Sequence, residues 1–253
     1  MGHLFRHAGP FVALLLLVGL FWTPHDPGAQ DFREAALEGP SLAHWLGVDP
    51  LGRDVLSRVW RGAAHSALLG GVAMLLGATL GAGLVLLAEG GGKRVASGVQ
   101  AVVGLWVAVP VIFLGLLLLV FLPPGPGALI WAAALGIVPL AFRQMRVMWR
   151  EQSSALFWQA SQALGARGWT LLRYTAWPAL APQLGALARL LFAICVLELS
   201  GLAFLGLMGD PDFPELGAML RQYQAFLHSA PHLLILPGAV LVGLLALVHQ
   251  GRN

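Results

Sequence analysis

Charge is what this chain has least of. Asp, Glu, Lys and Arg make up 11% of its 253 residues, where a soluble domain carries about 25%. So few charges cannot cover a water-exposed surface, which excludes a soluble globular protein. Disordered chains are poor in apolar residues, and 58% of this one is hydrophobic, so disorder is excluded too. A single cysteine, Cys195, excludes an intrachain disulfide and a thiolate-cluster metal site. The one lysine, Lys93, stands in no phosphate-binding G-x-x-x-x-G-K-[ST] loop: no Ser or Thr follows it, and Leu87 replaces the first glycine. No P-loop ATP site is therefore expected in this chain. H-E-x-x-H and G-x-S-x-G are also missing, so a membrane protease or esterase lacks its usual residues.

Long apolar runs are what the chain has instead, and its mean hydropathy is +0.77. A membrane-spanning helix needs about 20 mainly apolar residues. Residues 62–88 contain no Asp, Glu, Lys or Arg and form one expected span. The uncharged stretch after Arg94 is too long for one helix and is broken by Pro123-Pro124-Gly125-Pro126-Gly127, which gives spans 95–122 and 128–148. Two more follow at 178–207 and 229–248. At the N-terminal end, Arg6 and His7 precede a short apolar stretch, 8–22, of the length of a signal-peptide core. Thr23-Pro24-His25-Asp26-Pro27 makes a poor cleavage site, so the stretch reads as an uncleaved first helix. The expected fold class is all-α, a polytopic membrane protein of about six transmembrane helices.

The loops set an expected orientation. With the N-terminus in the cytoplasm, cytoplasmic segments hold nine basic residues: Arg6, Lys93, Arg94, Arg143, Arg146, Arg150, Arg167, Arg173 and Arg252. Outer segments hold five: Arg33, Arg53, Arg58, Arg61 and Arg221. That bias obeys the positive-inside rule and places both termini in the cytoplasm. The outer segments also collect the acids Asp26, Asp31, Glu34, Glu38, Asp49, Asp54, Asp210, Asp212 and Glu215. The Arg53/Arg58/Arg61 cluster is expected on an interfacial amphipathic helix, meeting Asp49, Asp54 or lipid headgroups.

Two charges fall inside an expected span, Arg189 and Glu198, where each costs about 2.5–3.5 kcal/mol at the bilayer centre on insertion scales. Nine residues at 100° each place them on opposite helix faces, so each needs its own partner or a watery cavity. Glu198 reads first as half of an interhelical pair and second as a pathway residue. His228 and His232 are four apart, a spacing that metal ligands use. Pro231 between them favours an interfacial pair instead. Gly77 and Gly81 form a G-x-x-x-G pair, which predicts close packing on a neighbouring helix.

The segment 151–177 is long for a loop between membrane helices and reads as helical. Ser153 and Ser154 are candidate caps, a run from Ala155 to Leu164 follows, and Gly165 is the expected stop. Leu156, Phe157 and Trp158 on such a helix need cover, either the membrane surface or a cytoplasmic partner. Gln159-Ala160-Ser161, then Gly165, then Trp177-Pro178 resembles the E-A-A…G…hydrophobic-Pro loop of ABC importer permeases. His44-Trp45-Leu46-Gly47-Val48-Asp49-Pro50-Leu51-Gly52-Arg53-Asp54-Val55-Leu56-Ser57-Arg58 resembles the H-x-L-G-T-D-x-x-G-R-D-V-L-S-R signature of peptide and nickel importers. Ala203-Phe204-Leu205-Gly206-Leu207 and the run from Asp210 to Leu220 are similar to two later motifs, and Pro110 matches a third-helix proline. Gly104, Leu216 and the last residues, 248–253, depart from the pattern.

The resemblance is to the second-permease type of the dipeptide/oligopeptide/nickel ABC importers, and it implies the type I permease fold. Residues 1–61 would supply a first helix, an outer segment and the interfacial helix. Residues 62–253 would form the core transmembrane domain, with its coupling loop at 151–177. Gln159, Ala160, Ser161, Ala163, Leu164 and Gly165 would engage an ATPase, while Asp49, Gly52, Arg53, Asp54 and Arg58 form the outer signature. The implied partners are a homologous second permease, two cytoplasmic ATPases that bind ATP and Mg, a periplasmic or lipid-anchored substrate-binding protein, and membrane lipids. No nucleic acid and no cofactor in this chain are expected. The binding protein is expected to dock on the acidic segments 26–54 and 210–215. The implied location is the bacterial inner membrane, and the implied cargo is a peptide, nickel or a metal chelate. The alternative from a different class is a channel or membrane enzyme acting alone through Arg189, Glu198 and the His228/His232 pair.

Overall fold

The computed structural model describes residues 8–30 and 37–250. Arg6, His7, Asp31, Arg33, Glu34, Arg252 and the end of the 248–253 tail lie outside them. The described residues are built from helices: α1 (Ala8–Phe21), α2 (Val55–Gly90), α3 (Gly92–Trp106), α4 (Val111–Phe121), α5 (Pro126–Ser154), α6 (Leu156–Ala163), α7 (Gly168–Leu171), α8 (Trp177–Phe204), α9 (Leu216–Tyr223) and α10 (Pro231–Gln250). Among them the only β pairing is an isolated bridge between Val48 and Asp54.

Among the described residues three helical runs are long and apolar enough to cross a membrane: α2, α5, and Gly168–Phe204, which contains α8. The pair α3 and α4 makes a fourth if counted together. The sequence predicts one span across 95–122, but the two halves meet at a 93° bend. Pro110 explains the break, since it has no N–H to give and pushes Val109 out of helical geometry; it caps α4 in an extended conformation. α1 has 14 residues, short of a full span, and packs on α2, where the Trp60 indole donates to the Leu15 carbonyl at 2.8 Å. The apolar part of α10, Pro231–Ala246, is short as well.

α2 corrects a second expectation. No separate interfacial helix carries the arginines: Asp54 caps a helix that runs unbroken for 36 residues, with Arg58 and Arg61 in its first two turns. Nothing between Val55 and Gly90 breaks a helix, so the amphipathic start and the apolar span fuse.

The core lies where α2, α5 and α8 meet, around Leu69, Ala133, Ile137, Leu191, Cys195 and Leu199. Small residues bring these helices together. A Cβ added at Gly77 would stand 2.5 Å from the Ala134 carbonyl oxygen, and one at Gly81 would stand 2.7 Å from the Ala141 Cβ. The G-x-x-x-G pair thus packs α2 on α5, the predicted role. At the end where α2 stops, Glu89 accepts from Arg146 Nε at 2.6 Å and from Arg150 Nε at 3.1 Å. That bond ties the ends of α2 and α5 together.

Candidate functional site

Three places carry the polar chemistry: a charge network where α2 begins, a short exposed helix at the opposite end of the bundle, and a carboxylate between them.

The network is built on Asp49, which is fully buried. Its Oδ1 accepts from the backbone N–H of Leu51 at 2.9 Å and of Arg53 at 3.0 Å, closing a tight turn. Gly52 stands in that turn at φ +73°, a left-handed conformation that glycine adopts without a Cβ penalty. Oδ2 accepts from Arg53 Nε at 2.7 Å, with Arg53 Nη2 also at 2.7 Å. Arg58 Nε lies 3.7 Å from the same oxygen, and the Tyr223 hydroxyl donates to it at 3.3 Å. Burial pushes the Tyr223 hydroxyl up to about 12, so it remains a proton donor. Arg53 reaches on to Asp212 at 2.6 Å, and Arg58 donates to the Gln222 side chain at 3.2 Å and to the Pro27 carbonyl at 3.1 Å. One buried carboxylate therefore gathers the signature segment, the loop before α9, α9 itself and the stretch after α1. Asp54 takes another course. Burial works against its charge, but hydrogen bonds from Ser57 and His44 outweigh that and hold the carboxyl below its ordinary range.

The sequence places Glu215 among the outer acids and within the Asp210–Leu220 run. In the structure it is fully buried, accepting from Ser66 Oγ at 2.8 Å, Ser200 Oγ at 2.7 Å and the Ala218 N–H at 2.9 Å. It caps α9 and joins it to α2 and α8. Nothing local in the sequence marks this, since Glu is not among the residues that helix N-caps favour. With Asp49, Asp54 and Glu215 buried and Asp212 paired with Arg53, part of each acidic segment is internal glue. Asp26, Glu38, Asp210 and Asp212 are exposed, as is Glu151 in the last turn of α5.

In α8, Glu198 and Arg189 do not pair with each other, as their spacing required. Arg189 is exposed. Glu198 is half-buried, facing Gly136 of α5 and Val111 at the start of α4, beside the α3–α4 break. Its Oε2 has no hydrogen-bond partner among the described residues, so the interhelical pair expected from the sequence does not form there. His228 and His232 are separated too: α10 begins at Pro231, leaving His228 in the preceding turn and off the helix face.

The exposed helix is α6. Ser153 and Ser154 do not cap it, because α5 runs on through Ser154 and their hydroxyls bond back to the carbonyls of Arg150 and Glu151. The chain turns at Ala155 instead, in extended geometry. Trp158 holds α6 down: it is buried with Leu171 and Ala176, its ring edge-on to Trp149 at 5.5 Å. The other face is bare, with Gln159, Ala160, Ala163, Leu164 and Gly165 exposed and Ser161 partly covered. Leu156 is 83% exposed and Leu164 90%. Gly165 ends the helix as predicted, at φ +89°, with the Ala166 N–H returning to the Ser161 carbonyl at 3.0 Å. This is a Schellman stop, which the left-handed residue makes possible.

A family model for the inner membrane component of binding-protein-dependent transport systems matches residues 81–251. The chain belongs to this family. As such a component it is 31% identical over 242 residues to the glutathione transport system permease protein GsiD of Pectobacterium atrosepticum, covering 93% of this chain and 79% of that protein. GsiD of Escherichia coli is 32% identical over 241 residues, with 93% and 78% covered. A solved structure of inward-facing conformations of the MetNI methionine ABC transporter matches with a TM-score of 0.62 at 22% identity, covering 76% of this chain and 91% of that one. That likeness is one of fold, and it agrees with an all-α permease architecture. Within this transport component, α6 lies inside the region the family model matches, whereas the Asp49–Arg58 network precedes it.

Proposed function

We propose that this chain is one of two membrane-spanning subunits of an ATP-driven importer of peptide-type solutes, and that α6 is the element through which an ATPase drives it. The observation that carries the reading is the two-sidedness of α6. One large aromatic, Trp158, fixes it to α5 and α8, while Leu156, Ala160, Ala163 and Leu164 are left uncovered. A small-residue surface edged by leucines suits insertion into a groove of a partner rather than a flat lipid surface. On this reading the α6 end and both termini face the cytoplasm. The Asp49 end faces outward, and Asp26, Glu38 and Asp210 are left for the substrate-binding protein. A homologous permease completes the pathway. ATP-driven closure of two ATPases moves α6, and the permeases rock between outward and inward access.

The GsiD relatives are named for glutathione, which supports a peptide-type cargo, with nickel and metal chelates as the competing class. Uptake of labelled glutathione, a dipeptide and nickel by proteoliposomes holding the whole complex separates them. Ala160→Trp fills the bare face of α6 and is expected to abolish uptake and ATPase capture while the chain stays in the membrane. Normal uptake by that variant would sink the coupling role.

A further inference from the structure

At the same end of the bundle as the Asp49 network, two imidazoles converge on one carboxylate. His44 Nδ1 lies 2.8 Å from Asp54 Oδ1, and His25 Nδ1 lies 3.8 Å from the same oxygen. The two rings stand 4.7 Å apart, tilted by 37°. One ligand-type atom from each of the three residues lies within 4.8 Å of the others. A helix cap alone does not require this arrangement. Capping uses the other oxygen, Oδ2, which accepts the Ser57 N–H at 2.7 Å and leaves Oδ1 to the imidazoles.

All three groups are held before any ion arrives. The His25 N–H donates to Ser57 Oγ at 3.0 Å, and Thr23 Oγ1 donates to the His25 carbonyl at 2.7 Å. The His44 backbone is tied at both ends to Ser41, at 3.0 Å and 2.8 Å. Asp54 is fixed by α2. The three ligands come from segments that the chain brings together only by folding. Solvent reaches the cluster from one side, since the His25 side chain is 46% exposed while that of Asp54 is 2%.

We propose that His25, His44 and Asp54 bind one divalent transition-metal ion of the zinc class at the end of the bundle where α2 begins. Two imidazole nitrogens and one carboxylate oxygen are a borderline set that suits Zn²⁺, Ni²⁺ or Cu²⁺, whereas Mg²⁺ and Ca²⁺ take oxygen-only shells. Three protein ligands leave a position for water or an incoming group. The ion would clamp the stretch after α1 and the loop before α2 onto the α2 N-terminus. The site is independent of the importer reading and of the cargo.

The test uses the full-length chain with its partner subunits in detergent, purified on a histidine-free tag and stripped with a chelator. Zn²⁺ is titrated against a chromogenic competitor. One equivalent per chain is expected, with affinity falling by at least about tenfold in His25→Ala, since even outer-shell changes at metal sites cost that much. His25→Cys provides a second readout: Co²⁺ bound to it should show a thiolate-to-cobalt charge-transfer band absent from the parent, whose Cys195 is buried in the core. Stoichiometric zinc of unchanged affinity in His25→Ala would overturn the proposal. So would the absence of stoichiometric binding by the parent, or a Co²⁺-loaded His25→Cys without the band.

Discussion

Arg53 holds the buried carboxylate of Asp49 through two nitrogens, Nε and Nη2, each 2.7 Å from Oδ2. Removing the guanidinium leaves the buried carboxylate with only N–H and hydroxyl donors and the more distant Arg58. Arg53→Met should therefore destabilise the fold by about 3–5 kcal/mol. Arg53→Lys should fail to restore it, because a point charge cannot reproduce the planar fork. Adding Asp49→Asn to Arg53→Met should recover part of the loss. Thermal unfolding in detergent reads all of these, and an Arg53→Lys variant as stable as the parent would refute the forked geometry.

Gly217 touches α8 directly: a Cβ there would overlap the Ser200 carbonyl oxygen and stand 2.6 Å from its carbon. Gly217→Ala should push α9 off α8, loosen the Glu215 cap and cost about 1–3 kcal/mol or more. Gly185→Ala is the control, since nothing lies within 4 Å of the added atom. It sits within α8 and should be neutral or slightly stabilising by propensity. Equal melting temperatures for the two variants would contradict the packing.

At Gly165 the cause is different. There is open space around the position, and only its φ of +89° resists a side chain. Gly165→Asn should keep more uptake than Gly165→Val, because Asn tolerates the left-handed region and β-branched residues do not. The two side chains differ little in bulk, so indistinguishable uptake would mean the helix stop is not needed for coupling.

Glu89 lies on α2 and Arg146 on α5, joined at 2.6 Å, with the Arg146 side chain 8% exposed. Glu89→Gln keeps the shape and removes the charge. A charge-assisted hydrogen bond in a partly buried setting contributes about 1.5–3 kcal/mol, so a loss of about 2 kcal/mol is expected. Arg150→Ala should cost less, since that side chain is 57% exposed. A larger loss in Arg150→Ala would reverse the assignment of which arginine holds the helix end.

Much of this was legible in one dimension. The spans at α2, α5 and α8, the turn at Pro123-Pro124-Gly125, the stop at Gly165 and the contact through Gly77 and Gly81 all follow from local chemistry. Each rests on hydrophobic length, a missing N–H, a missing Cβ or small-residue spacing. The outer signature pointed to Arg53 and Arg58 meeting Asp49, but not to their burial. The pairing of Glu89 with Arg146, fifty-seven positions on, left no local signal, and neither did the inward turn of Glu215.

By itself the sequence determined that this is an all-α membrane protein, because composition and period report what a segment must be surrounded by. Only the tertiary structure decided which charges face water and which face each other. Charges on distant segments gain partners when the helices pack, and the gain depends on distances of a few ångströms that no spacing along the chain encodes. Asp49, Asp54 and Glu215 read as an acidic outer surface along the chain; folded, they are the interior that joins α2, α8 and α9.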